Sequence, residues 1–279
     1  MTASTDNSGA AIDGRRSRAL HHREQVMGTI VTIDVYVDAG MPVDGLASHV
    51  RRARLALHQA DEVFSTWKPD SPLSRLRRGE TTVGQMPPEV AGVLDACRAA
   101  RVLSDGWFDP WALPGGVDPT GYVKGWAAER ALDAFRVPHV AAAVVNAAGD
   151  IASFGSPAPG APFRFAVVDP FDRTRFACVV EHTGAVATSG TYERGQQLFD
   201  PHSRRPASAA ASATVTGPEL GLADALATAL AVGGRDVLER IDALNGFEAL
   251  VIGHDGDRRW TGGFPWAKES VPSAGDPAA

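Results

Sequence analysis

The order of the periodic segments constrains the fold of this 279-residue chain more than any single motif does. Residues 29–37 alternate in polarity and are rich in β-branched side chains, which predicts a strand. Residues 44–64 carry apolar side chains at helical spacing, which predicts a long amphipathic helix. Strand and helix patterns then mix without a regular βαβα alternation. We therefore expect an α+β fold in one compact domain, with mixed sheets and flanking helices.

The remaining segments follow the same two periodicities. Helices are predicted at 88–104, 124–135 and 222–232, and strands at 140–145, 163–169, 175–181, 185–188 and 213–216. A closing hairpin is predicted at 246–253 and 257–262, and loops at 64–80 and 106–116. Polar composition predicts disordered segments at 1–25 and 268–279, which leaves residues 26–267 as the folded domain.

Composition excludes several classes of protein. The net charge of −6 implies no basic face, so nucleic acid is not an expected partner. The two cysteines, Cys97 and Cys178, form no CxxC pair and lie in apolar patterns, which predicts buried thiols rather than a zinc site or a disulfide. The N-terminal residues lack the apolar stretch of a signal peptide, and no run of about 18 apolar residues occurs. We therefore expect a cytoplasmic protein without a transmembrane segment.

Clusters of polar residues and glycines follow the apolar runs, although GxGxxG, P-loop and HExxH motifs are absent from the sequence. They lie at 64–74, 104–110, 117–125, 144–151 with 187–194, and 222–229. Trp67, in the first, either packs on the fold or stacks on a flat ligand. Asp109, in the second, either caps a turn or contacts a ligand held close to Gly106. The small residues of the fourth either cradle a nucleotide with backbone N–H groups or form tight turns.

The third and fifth clusters contain the strongest candidates for binding an anion and a metal. Asp118, Gly121 and Lys124 stand at the start of a predicted helix, an arrangement that suits an anionic group, although Asp118 could serve only as a cap. Asp224 and Thr228 are four residues apart and so share one face of an apolar helix. A buried aspartate needs a partner, which is either a hard cation shared with Thr228 or the backbone N–H groups of the helix start.

Taken together and in order, these clusters resemble the ApbE family of FAD:protein FMN transferases. The resemblance extends from Met27 to about Gly234. Its motifs are Met27-Gly-Thr29, Ser65-Thr-Trp-Lys-Pro-Asp-Ser71, Gly106-x-Phe-Asp109, Asp118-x-x-Gly-x-x-Lys-Gly125, Asn146-x-x-Gly-Asp150, Thr188-Ser-Gly-x-Tyr-Glu-Arg194, Asp200-Pro201 and Ala223-Asp-Ala-Leu-Ala-Thr228. Each motif is weak alone, and their shared order is specific.

The resemblance implies a reaction and a set of site residues. Family members bind FAD in an elongated cleft, hold Mg²⁺ at its pyrophosphate, and transfer FMN to a Thr or Ser of an acceptor protein with release of AMP. Carried over by position, the FAD-binding residues are Met27, Trp67, Trp107, Phe108, Asp109, Asp118, Lys124 and Leu198. The implied Mg²⁺ ligands are the Gly121 carbonyl and the side chains of Asp224 and Thr228; the implied catalytic residues are Asp224, Thr228 and Lys124.

Two positions depart from the family pattern. Gln197 stands where the family usually has a histidine three residues before Asp200-Pro201, and a glutamine cannot act as a general base near neutral pH. Ala148 replaces a usual glycine, and its Cβ is expected to narrow the nucleotide pocket or to forbid a positive φ. The alternatives to transfer are therefore hydrolysis of FAD to FMN and AMP, flavin binding without chemistry, and a structural domain that binds nothing.

Overall fold

The computed structural model describes residues 16–38, 40, 43, 45–190 and 198–270. Eight strands form one sheet in the order β1-β2-β3-β4-β7-β10-β11-β12, and β5-β6 and β8-β9 form two small sheets. The strands are Arg16–Val26 (β1), Thr29–Asp38 (β2), Ala142–Ala147 (β3), Asp150–Gly155 (β4), Arg164–Val168 (β5), Phe176–Glu181 (β6), Ala185–Gly190 (β7), Phe199–Asp200 (β8), Arg205–Pro206 (β9), Ser212–Gly217 (β10), Glu248–Ile252 (β11) and Arg258–Trp260 (β12). The α+β class is confirmed, and the sheets, expected to be mixed, are antiparallel in each described strand pair.

Helices cover one face of the large sheet. They are Leu46–Phe64 (α1), Pro72–Arg77 (α2), Pro88–Leu103 (α3), Thr120–Asp133 (α4), Leu220–Gly233 (α5) and Arg235–Asp242 (α6), with short 3₁₀ helices at Val83–Gln85 and Lys268–Ser270. The larger hydrophobic core lies between these helices and the inward residues of the sheet, such as Ile33, Val145 and Val215. No described helix is long and apolar enough to cross a membrane.

The β5-β6 hairpin covers the opposite face of the sheet. A second apolar cluster joins sheet residues such as Val144 and Leu250 to Val180 and to the aromatic ring of Phe163. Cys178 belongs to this cluster and Cys97 to the larger core, which confirms both as buried thiols. Burial raises the pKa of each thiol to about 12, so neither is a thiolate at neutral pH.

The structure corrects several sequence expectations. Residues 16–25, expected to be disordered, belong to β1, which pairs with β2 along its whole length, while residues 268–270 form a 3₁₀ turn. The predicted loop at 64–80 contains α2, which begins at Pro72 and has Ser71 as its N-cap. Strand β4 and helix α6 were not predicted. The strand of residues 175–181 and the closing hairpin are confirmed, with boundaries that differ by a few residues.

The packing of α4 on α5 depends on a close approach of the two backbones. A Cβ atom at Gly125 would lie 2.5 Å from the carbonyl oxygen of Leu220, so only glycine fits at this position. Glu129, one turn further along α4, accepts the N–H groups of Leu220 at 2.6 Å and Gly221 at 3.4 Å. Burial raises the pKa of Glu129, and those two N–H donors oppose the rise. Helix α4 therefore caps the start of α5 and fixes its position.

Gly125→Ala is expected to destabilise the protein by about 1–3 kcal/mol or more, because its methyl group must push α4 away from α5. The matched control is Gly92→Ala in α3, where an added Cβ meets no atom within 4 Å. That change should be neutral or stabilise by up to about 1 kcal/mol through helix propensity. Chemical denaturation of both variants measures the difference; equal stabilities would contradict the close packing.

A charged cluster joins β1 to α1. The Glu24 side chain is only 10% exposed and accepts hydrogen bonds from Arg54 at 2.6 Å, His58 at 2.7 Å and His22 at 2.9 Å. Burial alone raises the pKa of this carboxyl, but the three donors outweigh burial and lower the pKa from 4.5 to about 2. The ionised form is thus bound more tightly in the folded state than in the unfolded state.

Glu24→Gln is expected to lower the free energy of unfolding by about 1–3 kcal/mol at pH 7, a figure reduced because Arg54 and His58 are half exposed. The folded pKa is depressed, so the stabilisation is present above the unfolded value near 4.5 and is lost as pH falls toward 2. Urea unfolding of both proteins across that range measures it. A constant difference down to pH 2 would contradict the prediction, and the exposed Glu239→Gln serves as control.

Candidate active site

A cavity of about 220 Å³ opens where α4, α5 and β7 meet the loop that follows α3. Its wall carries both apolar and charged groups. The lining residues are Trp107, Phe108, Asp109, Pro110, Leu113, Asp118, Thr120, Gly121, Lys124, Thr188, Ser189, Gly190, Leu198, Phe199, Pro201, Asp224 and Thr228. The structure thus brings together residues from four of the sequence clusters.

The loop after α3 forms the apolar side of the cavity. Gly106 has a φ of 83°, which turns the chain so that Trp107 and Phe108 reach the wall. Trp107 packs edge-on against the ring of His202, with 4.4 Å between ring centroids. Phe108 is 5% exposed, and its N–H donates to the Ser104 hydroxyl at 3.0 Å. These contacts hold two aromatic rings in fixed positions beside the polar groups.

Arginines from outside the cavity pair with two of its carboxylates. Asp109 accepts Arg101 Nε at 2.7 Å and the N–H of Trp111 at 2.9 Å. Asp118 lies 3.3 Å from Arg77 Nη1 and accepts the N–H of Thr120 at 3.1 Å. Asp118 therefore contacts the first turn of α4 and also lines the cavity, while the N-cap itself is Pro119, so the predicted cap role was wrong and the ligand role stays a prediction.

Lys124 lies one turn into α4, and its side chain is 15% exposed. Its ammonium pairs with the carboxylate of Asp150, the first residue of β4, whose side chain is completely buried. Asp150 also accepts the N–H of Thr188 at 3.3 Å. The cavity wall thus carries a positive charge at the beginning of a helix, where backbone N–H groups add positive potential.

Oxygen atoms gather where α5 adjoins the start of α4. Asp224 is 3% exposed and accepts the N–H of Gly125 at 3.4 Å, and Thr228 follows one turn later on α5. The Thr228 hydroxyl lies 3.3 Å from the Ser189 hydroxyl. A Cβ at Gly121 would lie 3.3 Å from Thr228 Oγ1, so the backbone of α4 approaches this hydroxyl closely. Carboxylate, hydroxyl and backbone oxygens at one place are ligands that suit a hard divalent cation.

Two of the residues carried over from the resemblance lie outside the cavity wall, and several positions of another motif lie outside the described residues. Met27 occupies the β1-β2 turn, with a φ of 53°, and does not line the cavity. Trp67 does not line it either and is 90% exposed on the loop before α2. Gln197 and residues 191–194 of the Thr188–Arg194 motif lie outside the described residues.

The structure corrects the expectation for Ala148. Its φ is 54°, so the methyl group does not forbid a positive φ. Ala148 and Gly149 connect β3 to β4, and Asn146 Oδ1 accepts the N–H of Gly149 at 2.8 Å. Ala148 does not line the cavity. The turn instead positions Asp150 behind the cavity wall.

Sequence reasoning assigned no role to Arg77, Asp150 or Ser189. Asp150 stood inside a recognised cluster, and its position between apolar strand residues is a signal of burial that a charged partner must offset. Arg77 lies in a segment predicted to be a loop, so the sequence offered no signal for its contact with Asp118. Ser189 was visible as part of a motif, but its distance from Thr228 depends on how β7 packs on α5.

The fold and the cavity define an α+β protein in which the start of a helix lies beside carboxylate and hydroxyl oxygens in one cavity. The sequence model of the ApbE family matches residues 27–115 and 112–251, and the chain belongs to this family. A FAD:protein FMN transferase from Rhodobacter capsulatus is 33% identical over 144 residues. That match covers 48% of this chain but 27% of the relative, so the chain spans about a quarter of the relative's length.

Solved structures of similar architecture support the fold. The flavin transferase ApbE from Vibrio cholerae has a TM-score of 0.75 at 21% identity and covers 88% of this chain and 97% of its own. The ApbE protein from Thermotoga maritima has a TM-score of 0.74 at 22% identity, covering 87% and 97%. The apo flavinyl transferase ApbE from Pseudomonas stutzeri has a TM-score of 0.73 at 23% identity, covering 90% and 95%.

Arg77→Met is expected to destabilise the protein by about 1–3 kcal/mol, because it leaves Asp118 without its guanidinium partner. Arg77 also donates to the carbonyls of Gly115 at 3.0 Å and Pro114 at 3.3 Å, so proteolysis within 111–118 should accelerate. The control is Arg75→Met on the same helix, whose exposed side chain lies 3.9 Å from Glu80. Thermal melting and timed proteolysis test both; if Arg77→Met matches the control, Arg77 does not hold this loop.

Proposed function

We propose that this protein transfers the FMN part of FAD to a Thr or Ser hydroxyl of an acceptor protein and releases AMP, using Mg²⁺ at the FAD pyrophosphate. The observation that carries the proposal is a cavity that places Lys124 and the start of α4 beside the oxygens of Asp224 and Thr228. Family membership and the similarity to the FAD:protein FMN transferase of Rhodobacter capsulatus support it.

The polar part of the cavity suits a pyrophosphate. Thr120 and Gly121 bring the beginning of α4 to the wall, where helix N–H groups and the macrodipole favour an anion. Lys124, whose ammonium is paired with the Asp150 carboxylate, adds hydrogen-bond donors one turn away. Since Asp109 and Asp118 are already paired with arginines, their charges oppose an incoming phosphate less than free carboxylates would.

The oxygens that α5 and Gly121 contribute to the cavity fit a magnesium ion. Asp224 offers a carboxylate, Thr228 a hydroxyl and Gly121 a backbone carbonyl, and all three line the cavity. Mg²⁺ binds few protein oxygens and completes its shell with water and substrate phosphates, which agrees with a site that has a single carboxylate. Bound there, Mg²⁺ would neutralise charge on the pyrophosphate and favour departure of AMP.

The aromatic part of the cavity suits the flat rings of FAD. Trp107 and Phe108 present rigid apolar faces beside the phosphate region, and Leu198 extends this surface. Trp67 is held exposed by its loop, where Ser65 Oγ accepts the N–H groups of Trp67 at 3.3 Å and Lys68 at 3.2 Å. Because exposure of an indole is unfavourable in water, we propose that Trp67 and Met27 contact the part of FAD that extends out of the cavity.

The reaction follows from these positions. The acceptor hydroxyl oxygen attacks the FMN phosphorus, a new P–O bond forms, the P–O bond to AMP breaks, and the hydroxyl proton passes to solvent water. Lys124 and the N–H groups of α4 hold phosphate oxygens and stabilise their negative charge as the bonds change. Asp224 and Thr228 orient the metal end of the pyrophosphate, so their contribution is positioning rather than proton transfer.

The direct test is to incubate the protein with FAD and Mg²⁺, with and without a peptide that carries the family's acceptor motif. A peptide that gains the mass of FMN, together with stoichiometric AMP, supports transfer. Release of free FMN and AMP without peptide labelling would support FAD hydrolysis instead. FAD that binds and stays intact would support a flavin-binding protein.

Asp224→Asn is expected to reduce Mg²⁺-dependent turnover by roughly a hundredfold or more, because loss of the carboxylate removes the charged metal ligand. The variant should also need more Mg²⁺ for half-maximal activity, which titration of the metal measures. The control is Asp236→Asn, an exposed aspartate in the first turn of α6. Asp236→Asn should retain full activity. Unchanged metal dependence in Asp224→Asn, with thermal stability preserved, would refute the assignment of this metal ligand.

A further inference from the structure

Behind the cavity wall lies a charge that the proposed reaction does not use. Asp150 is 0% exposed and is not among the residues that line the cavity. A carboxylate in this position has lost its hydration, a cost of several kcal/mol unless charged and hydrogen-bonded partners offset it. The residues that contact it are therefore informative about why it is there.

Two of those partners belong to the cavity wall. Lys124, on α4, forms an ion pair with Asp150 Oδ2, and Thr188, on β7, donates its N–H to Asp150 Oδ1 at 3.3 Å. Both residues line the cavity. One carboxylate therefore links two elements that form the site, and it does so without lining the cavity itself.

The backbone around Asp150 fixes its position. The turn at Ala148 and Gly149 has φ values of 54° and 95°, and it leads directly into β4. Ile151 then pairs with Val186 on β7, which keeps β4 and β7 in register beside the site. An alanine at a positive φ is strained by roughly 1–3 kcal/mol, so the surrounding structure must hold this turn in place.

The contacts of Asp150 continue through Thr188 to the hydroxyl groups near Asp224 and Thr228. Thr188 is followed by Ser189, whose hydroxyl lies 3.3 Å from Thr228 Oγ1. The Thr188 hydroxyl lies 3.0 Å from that of Thr214, on the neighbouring strand β10. Asp150 thus stands at one end of a series of contacts that includes the phosphate-facing ammonium and a proposed metal ligand.

We propose that Asp150 is a positioning residue that orients the Lys124 ammonium toward the FAD pyrophosphate, an inference that rests on the proposed function. The ammonium has three donor hydrogens, so it can donate to Asp150 and to a phosphate oxygen at the same time. A lysine side chain in solution samples many rotamers, and fixing one of them before the ligand arrives lowers the entropic cost of binding. Asp150 therefore favours FAD binding through Lys124 rather than by contact with FAD.

The test compares FAD affinity and stability in Asp150→Asn, Lys124→Met and the double variant of the full chain. Asparagine keeps the size of the side chain and, through its oxygen, an acceptor for the Thr188 N–H, and it replaces the charged oxygen that pairs with Lys124 by an uncharged NH2 group. Asp150→Asn should weaken FAD binding by roughly ten- to hundredfold, the range typical of outer partners that orient a ligand-binding group. Flavin fluorescence titration and a competition titration with ADP, which shares the pyrophosphate, measure it.

The double variant separates positioning from folding. If Asp150 acts through Lys124, Asp150→Asn should cost no further FAD affinity once Lys124 is methionine. Additive losses, or an Asp150→Asn protein that binds FAD and ADP as tightly as the unchanged chain, would overturn the proposal. A structural role alone would lower the melting temperature without this non-additivity in affinity. Asp95→Asn, whose side chain is 72% exposed on α3, is the control and should bind FAD normally.

Failure of the proposed function is distinguishable from failure of this inference. A chain that binds FAD but labels no acceptor peptide lacks the proposed transfer, and the affinity comparison between Asp150 and Lys124 variants still decides the positioning role. Conversely, the unchanged chain could label the acceptor peptide while the losses of FAD affinity in the Asp150 and Lys124 variants add up. That result would support transfer and refute the role of Asp150.

Discussion

The close approach of α4 to α5 is the constraint on which the site depends. Gly125 allows the helices to touch, and its N–H reaches Asp224 on α5 because no side chain intervenes. The same contact brings the start of α4 to the cavity, where Gly121 approaches Thr228. The helix start proposed to bind phosphate and the oxygens proposed to bind a cation therefore lie beside each other as a direct result of helix packing. A wider separation of the two helices would move both halves of the site apart at once.

Three charged side chains of the cavity wall are each paired with a side chain of opposite charge from outside the cavity. Asp109 and Asp118 pair with arginines from α3 and α2, and Lys124 pairs with a buried aspartate from β4. These partners lie outside the cavity and therefore do not reduce the volume open to a ligand. Each pair also ties the wall to a neighbouring element of the fold, so the electrostatic field of the site is fixed by the same contacts that hold its loops.

The sequence predicted much of the fold because most elements have clear periodicity. Strand β2 and helix α1 were identified from alternation and from helical spacing, and both are confirmed. Strand β1 was missed because its exposed edge carries polar residues such as His21 and His22, which read as a disordered segment. Its pairing with β2, a tertiary interaction, overrides that composition.

The candidate site residues were predicted from motifs and stay predictions, although most of them line one cavity; the contacts that support them were not predicted. Asp224 and Thr228 are close in sequence, so helix geometry alone places them on one face. The contact between Arg77 and Asp118 joins residues 41 positions apart, and no local pattern encodes it. Short-range spacing thus reveals candidate ligands, whereas the charges that orient them depend on the assembled fold.

The chemistry of the proposed ligands explains why a metal site is hard to find in this chain by residue type. Among the described residues, no group of three His, Cys, Asp or Glu side chains could hold a metal ion. Under the proposed function none is needed, because a hard cation takes part of its oxygen shell from the pyrophosphate and from water. The pyrophosphate would then supply part of the cation's coordination shell, and the cation would in turn hold the pyrophosphate. A single buried carboxylate with a neighbouring hydroxyl is a sufficient protein contribution when the substrate itself completes the coordination.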